Sequence, residues 1–420
     1  MVRLLYTLLL LLVAPAVPLY LLWRARRQPE YRRHWGERCG FYSGTASPAE
    51  TVKTIWLHAV SVGETRATQP LVKLLKQRWP QHRILITHMT PTGRQTCAEL
   101  YGDTVDSVYL PYDYPWAMRG FLGHFQPKLG IIMETELWPN LIAICRRRDI
   151  PLLLVNARLS EKSARSYARF PLLTRQALQG LSAVAAQTAD DAARLTRLGA
   201  QDVSVSGNLK FDIAPSPQQL ALGASWREQW GKRKVLLAAS TRDGEEALIL
   251  DAYCRQPRRD ILLVIVPRHP QRFSAVAALA MARGLQLERR SVTTAPKTST
   301  QVLLGDSMGE MFAYYAACDV AFIGGSLLDY GSQNLIEACA VGVPLLIGPS
   351  TYNFAEAAQA ALSWGAARQV ADAVELITAA LELLGDERQR SLIGTAGQAF
   401  ATRHRGASAH TLALIEKLLK

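Results

Sequence analysis

Short β-branched and leucine-rich runs recur along the chain, separated by longer stretches with helical spacing of apolar positions. Runs at 55–60, 83–89, 105–110, 129–133, 152–155, 183–186 and 203–206 are strand-length and bounded by turn residues. A second series begins at 235–239 and continues through 261–266, 302–304, 320–323 and 345–347. Near-continuous apolar strands alternating with helices predict parallel sheets covered on both faces, so the expected fold class is α/β, with two Rossmann-like, doubly wound lobes. The stretch 208–230 contains Ala214-Pro215-Ser216-Pro217 and reads as a linker. It divides a first lobe, 28–212, from a second, 213–420. Two such lobes predict a cleft between the carboxyl ends of both sheets, where doubly wound folds bind ligands.

Ahead of the first lobe, residues 4–23 carry no charge. As a helix rising about 1.5 Å per residue they would reach about 30 Å, a bilayer core. The segment 1–27 therefore reads as a single-pass membrane anchor. A cleaved signal peptide is the competing reading, because Arg3, a leucine run and Ala14-Pro15-Ala16 mimic its three regions. Against cleavage, the apolar stretch resumes at Val17 and runs on to Trp23, and Pro15 and Pro18 suit a kink. Arg24, Arg26, Arg27, Arg32 and Arg33 follow the run and only Arg3 precedes it, which puts the body on the cytoplasmic side of an inner membrane. Trp23, Tyr31, Trp35, Phe41 and Tyr42 lie among those arginines. The mixture suits anionic lipid headgroups better than nucleic acid, since no nucleic-acid recognition fold accompanies it.

Composition narrows the class. Of 420 residues, 49% are hydrophobic and 20% charged, which fits a globular protein and excludes disorder, collagen and a polytopic membrane protein. The net charge of +13 favours an anionic partner without choosing among nucleic acid, nucleotide-bearing substrates and an acidic membrane face. Six cysteines show no C-x-x-C and no zinc spacing with histidine, so buried, reduced thiols are expected and a structural metal is not.

In the first lobe, the run 55–60 passes into Ser61-Val62-Gly63-Glu64 and then a helical pattern. Glu64 thus falls at a strand-to-helix turn. Ser61-x-x-Glu64 is also a capping box, and both roles stay open, because a helix N-terminus keeps a carboxylate ionised and ready to accept a proton. The run 129–133 ends in Glu134-Thr135-Glu136-Leu137-Trp138-Pro139. Glu136 suits the first turn of the Pro-started helix, so Glu134 is the stronger site candidate. Gly207-Asn208-Leu209-Lys210 puts a cation at the start of the linker, either simply solvated or facing negative charge in the cleft.

In the second lobe, the run 320–323 enters Gly324-Gly325-Ser326, and Asn334-Leu335-Ile336-Glu337 then opens a helix. Glycines that admit an anion to backbone amides, a helix start and a carboxylate for ribose hydroxyls suit a phosphate site, against the alternative of a tight turn alone. Arg268-His269, the turn Met308-Gly309-Glu310 and Ser240-Thr241 end neighbouring strands with anion-compatible chemistry. No D-x-D pair, P-loop Lys-Ser/Thr or G-x-S-x-G turn occurs, so a metal-independent transfer from a nucleotide donor, without cofactor, is expected.

Taken together, Trp56-Leu57-His58-Ala59-Val60-Ser61-Val62-Gly63-Glu64, Met133-Glu134-Thr135-Glu136-Leu137-Trp138-Pro139-Asn140 and Ser206-Gly207-Asn208-Leu209-Lys210-Phe211-Asp212 resemble the bacterial 3-deoxy-D-manno-octulosonic acid (Kdo) transferases of lipopolysaccharide synthesis. Val266-Pro267-Arg268-His269, Met308-Gly309-Glu310, Gly324-Gly325-Ser326-Leu327, Asn334-Leu335-Ile336-Glu337 and Gly348-Pro349 extend the resemblance over almost the whole chain. It implies a GT-B glycosyltransferase fold and inverting transfer of Kdo from CMP-Kdo to the lipid A precursor. Glu64 would be the general base, with Glu134 and Lys210 as transition-state stabilisers. Arg268, His269, Met308, Gly309, Glu310, Asn334, Leu335, Ile336 and Glu337 would hold CMP, and Ser240, Thr241, Gly324, Gly325 and Ser326 would add donor contacts.

Two family histidines are replaced, by Arg242 and Gln333, which leaves the donor-sugar contacts and the number of transfers open. A UDP-sugar transferase acting on another lipid, and a non-catalytic nucleotide-binding membrane protein, are the competing readings.

Overall fold

The computed structural model describes residues 2–42, 52–212, 214–256 and 261–419. Two compact units divide the chain: Met1–Asp212 with Arg405–Lys420, and Ile213–His404. The boundary residue Ile213 lies outside the described residues.

In the first unit the strands are β1 (Thr54–His58), β2 (Arg83–His88), β3 (Asp106–Tyr109), β4 (Pro127–Met133), β5 (Leu152–Ala157), β6 (Ala183–Ala186) and β7 (Val203–Val205). They form one parallel sheet in the order β3-β2-β1-β4-β5-β6-β7. In the second unit β8 (Lys234–Thr241), β9 (Ile261–Pro267), β10 (Leu287–Arg289), β11 (Val302–Leu304), β12 (Val320–Ile323), β13 (Leu345–Ile347) and β14 (Ala367–Gln369) form a second parallel sheet. Its order is β10-β11-β9-β8-β12-β13-β14, which differs from the first in that β11 is inserted between β9 and β10 and leaves β10 at the edge. Each sheet therefore has one switch point, between β1 and β4 in the first and between β8 and β12 in the second. Ligand crevices open at the carboxyl ends of strands at such points. The central strands β1 and β5 are buried throughout, as the unbroken apolar runs predict, and helices cover both faces.

Several expectations change. The three-residue strands β10 and β14, Leu-Glu-Arg and Ala-Arg-Gln, lie at sheet ends where pairing on one side tolerates charge, so no apolar run marks them. More than half of the expected linker is the helix Pro217–Trp230, started by its proline and held by buried Trp226 and Trp230. The C-terminal helix Ala407–Leu418, grouped by sequence with the second lobe, belongs to the first unit. Its Ala407 and Ile415 join the core around Leu57, Leu71 and Leu75. Asp212 accepts hydrogen bonds from the Gly406 and Ser408 amides at its start, and Glu416 pairs with Arg78. Of the thiols expected to be buried, Cys97, Cys145 and Cys339 are, whereas Cys39 and Cys254 reach solvent.

The apolar N-terminus is not one rod. Helices Val2–Val13 and Ala16–Ala25 meet at a 55° bend beside Pro15, and no single helix among the described residues is long and apolar enough to cross a membrane. One face of the first helix is docked on its own unit. Tyr6 donates to Asp113 Oδ2 at 3.1 Å, Thr7 Oγ1 lies 3.2 Å from Asn140 Oδ1, and the Tyr114 hydroxyl donates to the Leu10 carbonyl at 3.0 Å. The opposite face leaves Leu4, Leu5, Leu8, Leu9 and Leu12 exposed. Asp113 also caps the helix Pro139–Arg147 through the Asn140 and Leu141 amides at 2.9 and 2.8 Å. Burial nevertheless pushes its carboxyl up to about 6. The N-terminal segment is thereby tied to the helix that follows the Glu134 turn.

Candidate active site

At the carboxyl end of β1 the chain turns into the six-residue helix Val62–Ala67. Ser61 caps it: its Oγ accepts from the Glu64 amide and donates to Glu64 Oε1 at 2.7 Å, while Oε2 accepts from the Val60 amide at 2.9 Å. The capping box is real, although its carboxylate reaches one residue further back than the usual reciprocal pair. Its electrostatics differ from the expectation of a carboxylate held ionised by a helix dipole. Glu64 is 8% exposed, and burial raises its pKa to about 7. The Ser61 and Val60 hydrogen bonds pull it down, and the charges of Glu134 and Glu136 push it further up. Six residues give a weak dipole, and desolvation wins. A base poised near neutrality is what proton abstraction from a sugar hydroxyl requires.

Across the switch point, β4 is followed by Glu134, whose φ of +58° turns the chain away from the sheet. Glu134 Oε1 lies 3.9 Å from Lys210 Nζ, a partly exposed pair. Burial raises the Glu136 carboxyl, and the neighbouring Glu134 charge adds to it. Lys210 sits on the single-turn helix Leu209–Phe211, packed beside Val62–Ala67. It is thus held rather than free in a linker. Its turn is pinned by residues that sequence reasoning missed. Asn156 Oδ1 accepts from the Leu209 amide at 2.9 Å, Asn208 donates to Gln187 at 3.0 Å, and Gln187 donates to the Asn156 carbonyl at 3.0 Å. Asn156 occupies the left-handed region at φ +56°, and an asparagine ending a strand is the signal that marks such a turn. His58 and His88 end β1 and β2. Burial holds them near 3 and 4, so both are neutral at physiological pH.

The second unit gathers its chemistry at the same end of its sheet. Gly324 follows β12 directly beneath the end of β8, where a Cβ would lie 2.5 Å from the Ser240 carbonyl and 2.6 Å from Thr241 Cα. Only glycine fits. The amides beyond it are not open to a phosphate. Glu245, fully buried, accepts from the Gly325, Leu327 and Arg242 amides at 2.6, 3.0 and 2.8 Å. The glycine turn expected to cradle an anion already holds an internal one. Thr241 is buried, its hydroxyl on Glu246, and Ser326 is buried with its Oγ accepting from the Gly348 amide at 2.8 Å. Neither side chain is presented for donor contact, whereas Ser240 remains partly exposed at φ +55°.

At the next loop Asn334 Oδ1 accepts from the Ile336 amide, and its Nδ2 donates to Glu337 Oε1, both at 3.1 Å. Leu335 and Ile336 are 0% and 1% exposed, so they offer a ligand main chain only. Met308 is 60% exposed, and Glu310 is paired with Arg290 at 2.9 Å. Arg268 Nε donates to Gln333 Oε1 at 3.2 Å, and Arg242 Nη1 to His269 Nε2 at 3.1 Å. Partial burial, then the charges of Arg242, Arg268 and Arg272, lower the His269 pKa. Among the described residues no group of three His, Cys, Asp or Glu side chains is placed to hold a metal ion.

Comparison with known proteins decides the family. Residues 33–213 match the family model described as 3-deoxy-D-manno-octulosonic-acid transferase (kdotransferase). The chain is 42% identical over 427 residues to the 3-deoxy-D-manno-octulosonic acid transferase of Bordetella pertussis, covering 99% of each chain. This chain belongs to the Kdo transferases. To the Haemophilus influenzae transferase it is 37% identical over 426 residues, covering 100% of this chain and 99% of that one. Among solved structures, a glycosyltransferase from Rickettsia africae shares the fold at a TM-score of 0.54 and 14% identity, over 88% of this chain and 99% of that one. The two parallel sheets of this Kdo transferase are those of the GT-B glycosyltransferases.

Proposed function

We propose that the protein transfers Kdo from CMP-Kdo to the lipid A precursor with inversion, without a metal ion or cofactor. The single observation that carries this reading is Glu64, a buried carboxylate poised near pH 7 beside Glu134 and Lys210. Glu64 takes the proton of the acceptor hydroxyl. That oxygen bonds to the anomeric carbon as the carbon–oxygen bond to phosphate breaks, and CMP leaves with the bonding electrons. Glu134 opposes positive charge developing on the sugar, and Lys210 opposes negative charge on oxygen. In the second unit Arg268, His269, Asn334, Glu337 and the Met308–Glu310 main chain bind CMP.

The test is mass analysis of the product from CMP-Kdo and tetraacylated lipid A precursor, with and without chelator. The expected result is an acceptor heavier by Kdo units in both samples. Turnover of a UDP-sugar in place of CMP-Kdo, or loss of activity in chelator, overturns the reading.

The bent N-terminal pair is proposed as the attachment to the cytoplasmic face of the inner membrane. Its hydrogen-bonded face rests on the first unit, its leucine face enters lipid, and Arg24, Arg26 and Arg27 meet anionic headgroups. Full-length protein is expected to float with vesicles of phosphatidylethanolamine and phosphatidylglycerol. A variant combining Leu5→Asp, Leu9→Asp and Leu12→Asp is expected to stay in the soluble fraction, and its continued flotation would refute this attachment.

A further inference from the structure

Three loops of the second unit meet around Gly325. A Cβ there would lie 3.0 Å from Gln333 Nε2 and 3.4 Å from the Arg242 side chain. Gln333 in turn accepts from Arg268, and Arg242 donates to His269. The Gly325 and Leu327 amides are held by Glu245, so an anion arriving at this switch point has to be met by side chains.

The nearby cations are unequal. Arg272 is neutralised by Asp243 and Glu246. Arg242 packs its guanidinium 4.7 Å from the centre of the Tyr330 ring, donates to His269 Nε2 and forms no ion pair with a carboxylate among the described residues, so its charge remains for a ligand. A guanidinium braced on an aromatic face is preorganised to pair with a planar carboxylate through two parallel hydrogen bonds.

Resting on the donor reading above, we infer that Arg242, seated on Tyr330 and His269, is the subsite for the carboxylate of the donor sugar. A ulosonic acid carries that carboxylate on its anomeric carbon, the atom bonded to the phosphate oxygen in CMP-Kdo. The two anions are therefore near neighbours, and a protein that chooses a ulosonic acid over a neutral sugar needs a second cation beside its phosphate site. Arg242 supplies that second charge, and Gln333, held by Arg268, sits between the two guanidinium groups.

CMP lacks the carboxylate, and this makes the test internal. With purified full-length protein, the KM for CMP-Kdo and the inhibition constant of CMP are compared between wild type and Arg242→Gln. The KM is expected to rise about tenfold to a hundredfold, the worth of a charged hydrogen-bonded pair. The CMP constant is expected to change by less than about twofold, because uniform binding to the nucleotide is untouched. Arg242→Lys, which keeps the charge without the planar fork, is expected to fall between them. Parallel weakening of both ligands, or no change in either, overturns the carboxylate subsite. Failure of the wild-type protein to use CMP-Kdo overturns the donor reading instead.

Discussion

Glu64→Gln is expected to lower kcat by about 10²–10⁴-fold, the usual contribution of a positioned general base. The KM for either substrate should change little, because the amide keeps the shape of the carboxylate and removes only its ability to take a proton. The wild-type pH profile carries the same signature. With the Glu64 carboxyl raised to about 7, activity should climb about tenfold per pH unit below neutrality and level off above it. An acid limb that persists unchanged in the Gln variant, or full activity of that variant, would reduce Glu64 to a helix cap.

The same residue links activity to stability with opposite sign. Its folded-state pKa lies above the ordinary value of 4.5, so the fold prefers the protonated form. The associated stability is fully present below pH 4.5 and is lost as pH rises through 7. Because one pKa unit is about 1.4 kcal/mol, the loss approaches about 3 kcal/mol in mildly alkaline solution. The Gln variant escapes it, so its stability relative to wild type should improve between pH 5 and pH 8 in denaturant titrations. A site tuned by burial is held at the expense of fold stability, and the inactive variant should expose that tension.

The sheets were legible in the sequence because parallel strands buried on both faces announce themselves as unbroken apolar runs, as in Ile55–Trp56–Leu57 and Ile131–Ile132–Met133. Strands that lack such a run, β10 and β14, were invisible for the same reason. The helix Ala407–Leu418 was misplaced because its apolar face reads alike against either core. What assigns it is the Asp212 carboxylate at its N-terminus, almost two hundred residues away in the chain. At the site, residue types and strand ends marked Glu64, Glu134 and Lys210. The environment was not legible: a solvated cap and a desolvated carboxyl have the same letters, and only the folded chain's burial of Glu64, with the Glu134 and Glu136 charges nearby, separates them.

Glu245 shows the same limit most sharply, and it carries the largest stability prediction. By sequence the glycines of Gly324-Gly325-Ser326 invite a phosphate. Folded, the invitation is answered by a carboxylate of the same unit, from the start of the helix Glu245–Cys254. Burial pushes this carboxyl up, but the Gly325, Arg242 and Leu327 amides pull it back down. Glu245→Ala would strand all three amides, each costing about 1–3 kcal/mol when buried and unpaired. Relief of the carboxylate's own desolvation offsets part of this, leaving a net loss above about 3 kcal/mol. For a unit of this size that lowers the midpoint of its melting transition by about 10 °C. Glu245→Gln retains one acceptor oxygen and turns an N–H group toward another donor, so it should recover less than half of the loss. Calorimetry on the full-length protein reads both variants, and a melting transition unchanged in Glu245→Ala would mean that the turn holds itself. The consequence for chemistry follows from the sign of the charge. A turn whose amides are closed by an internal anion repels a second one, which supports the proposal that the guanidinium groups at its rim meet the donor.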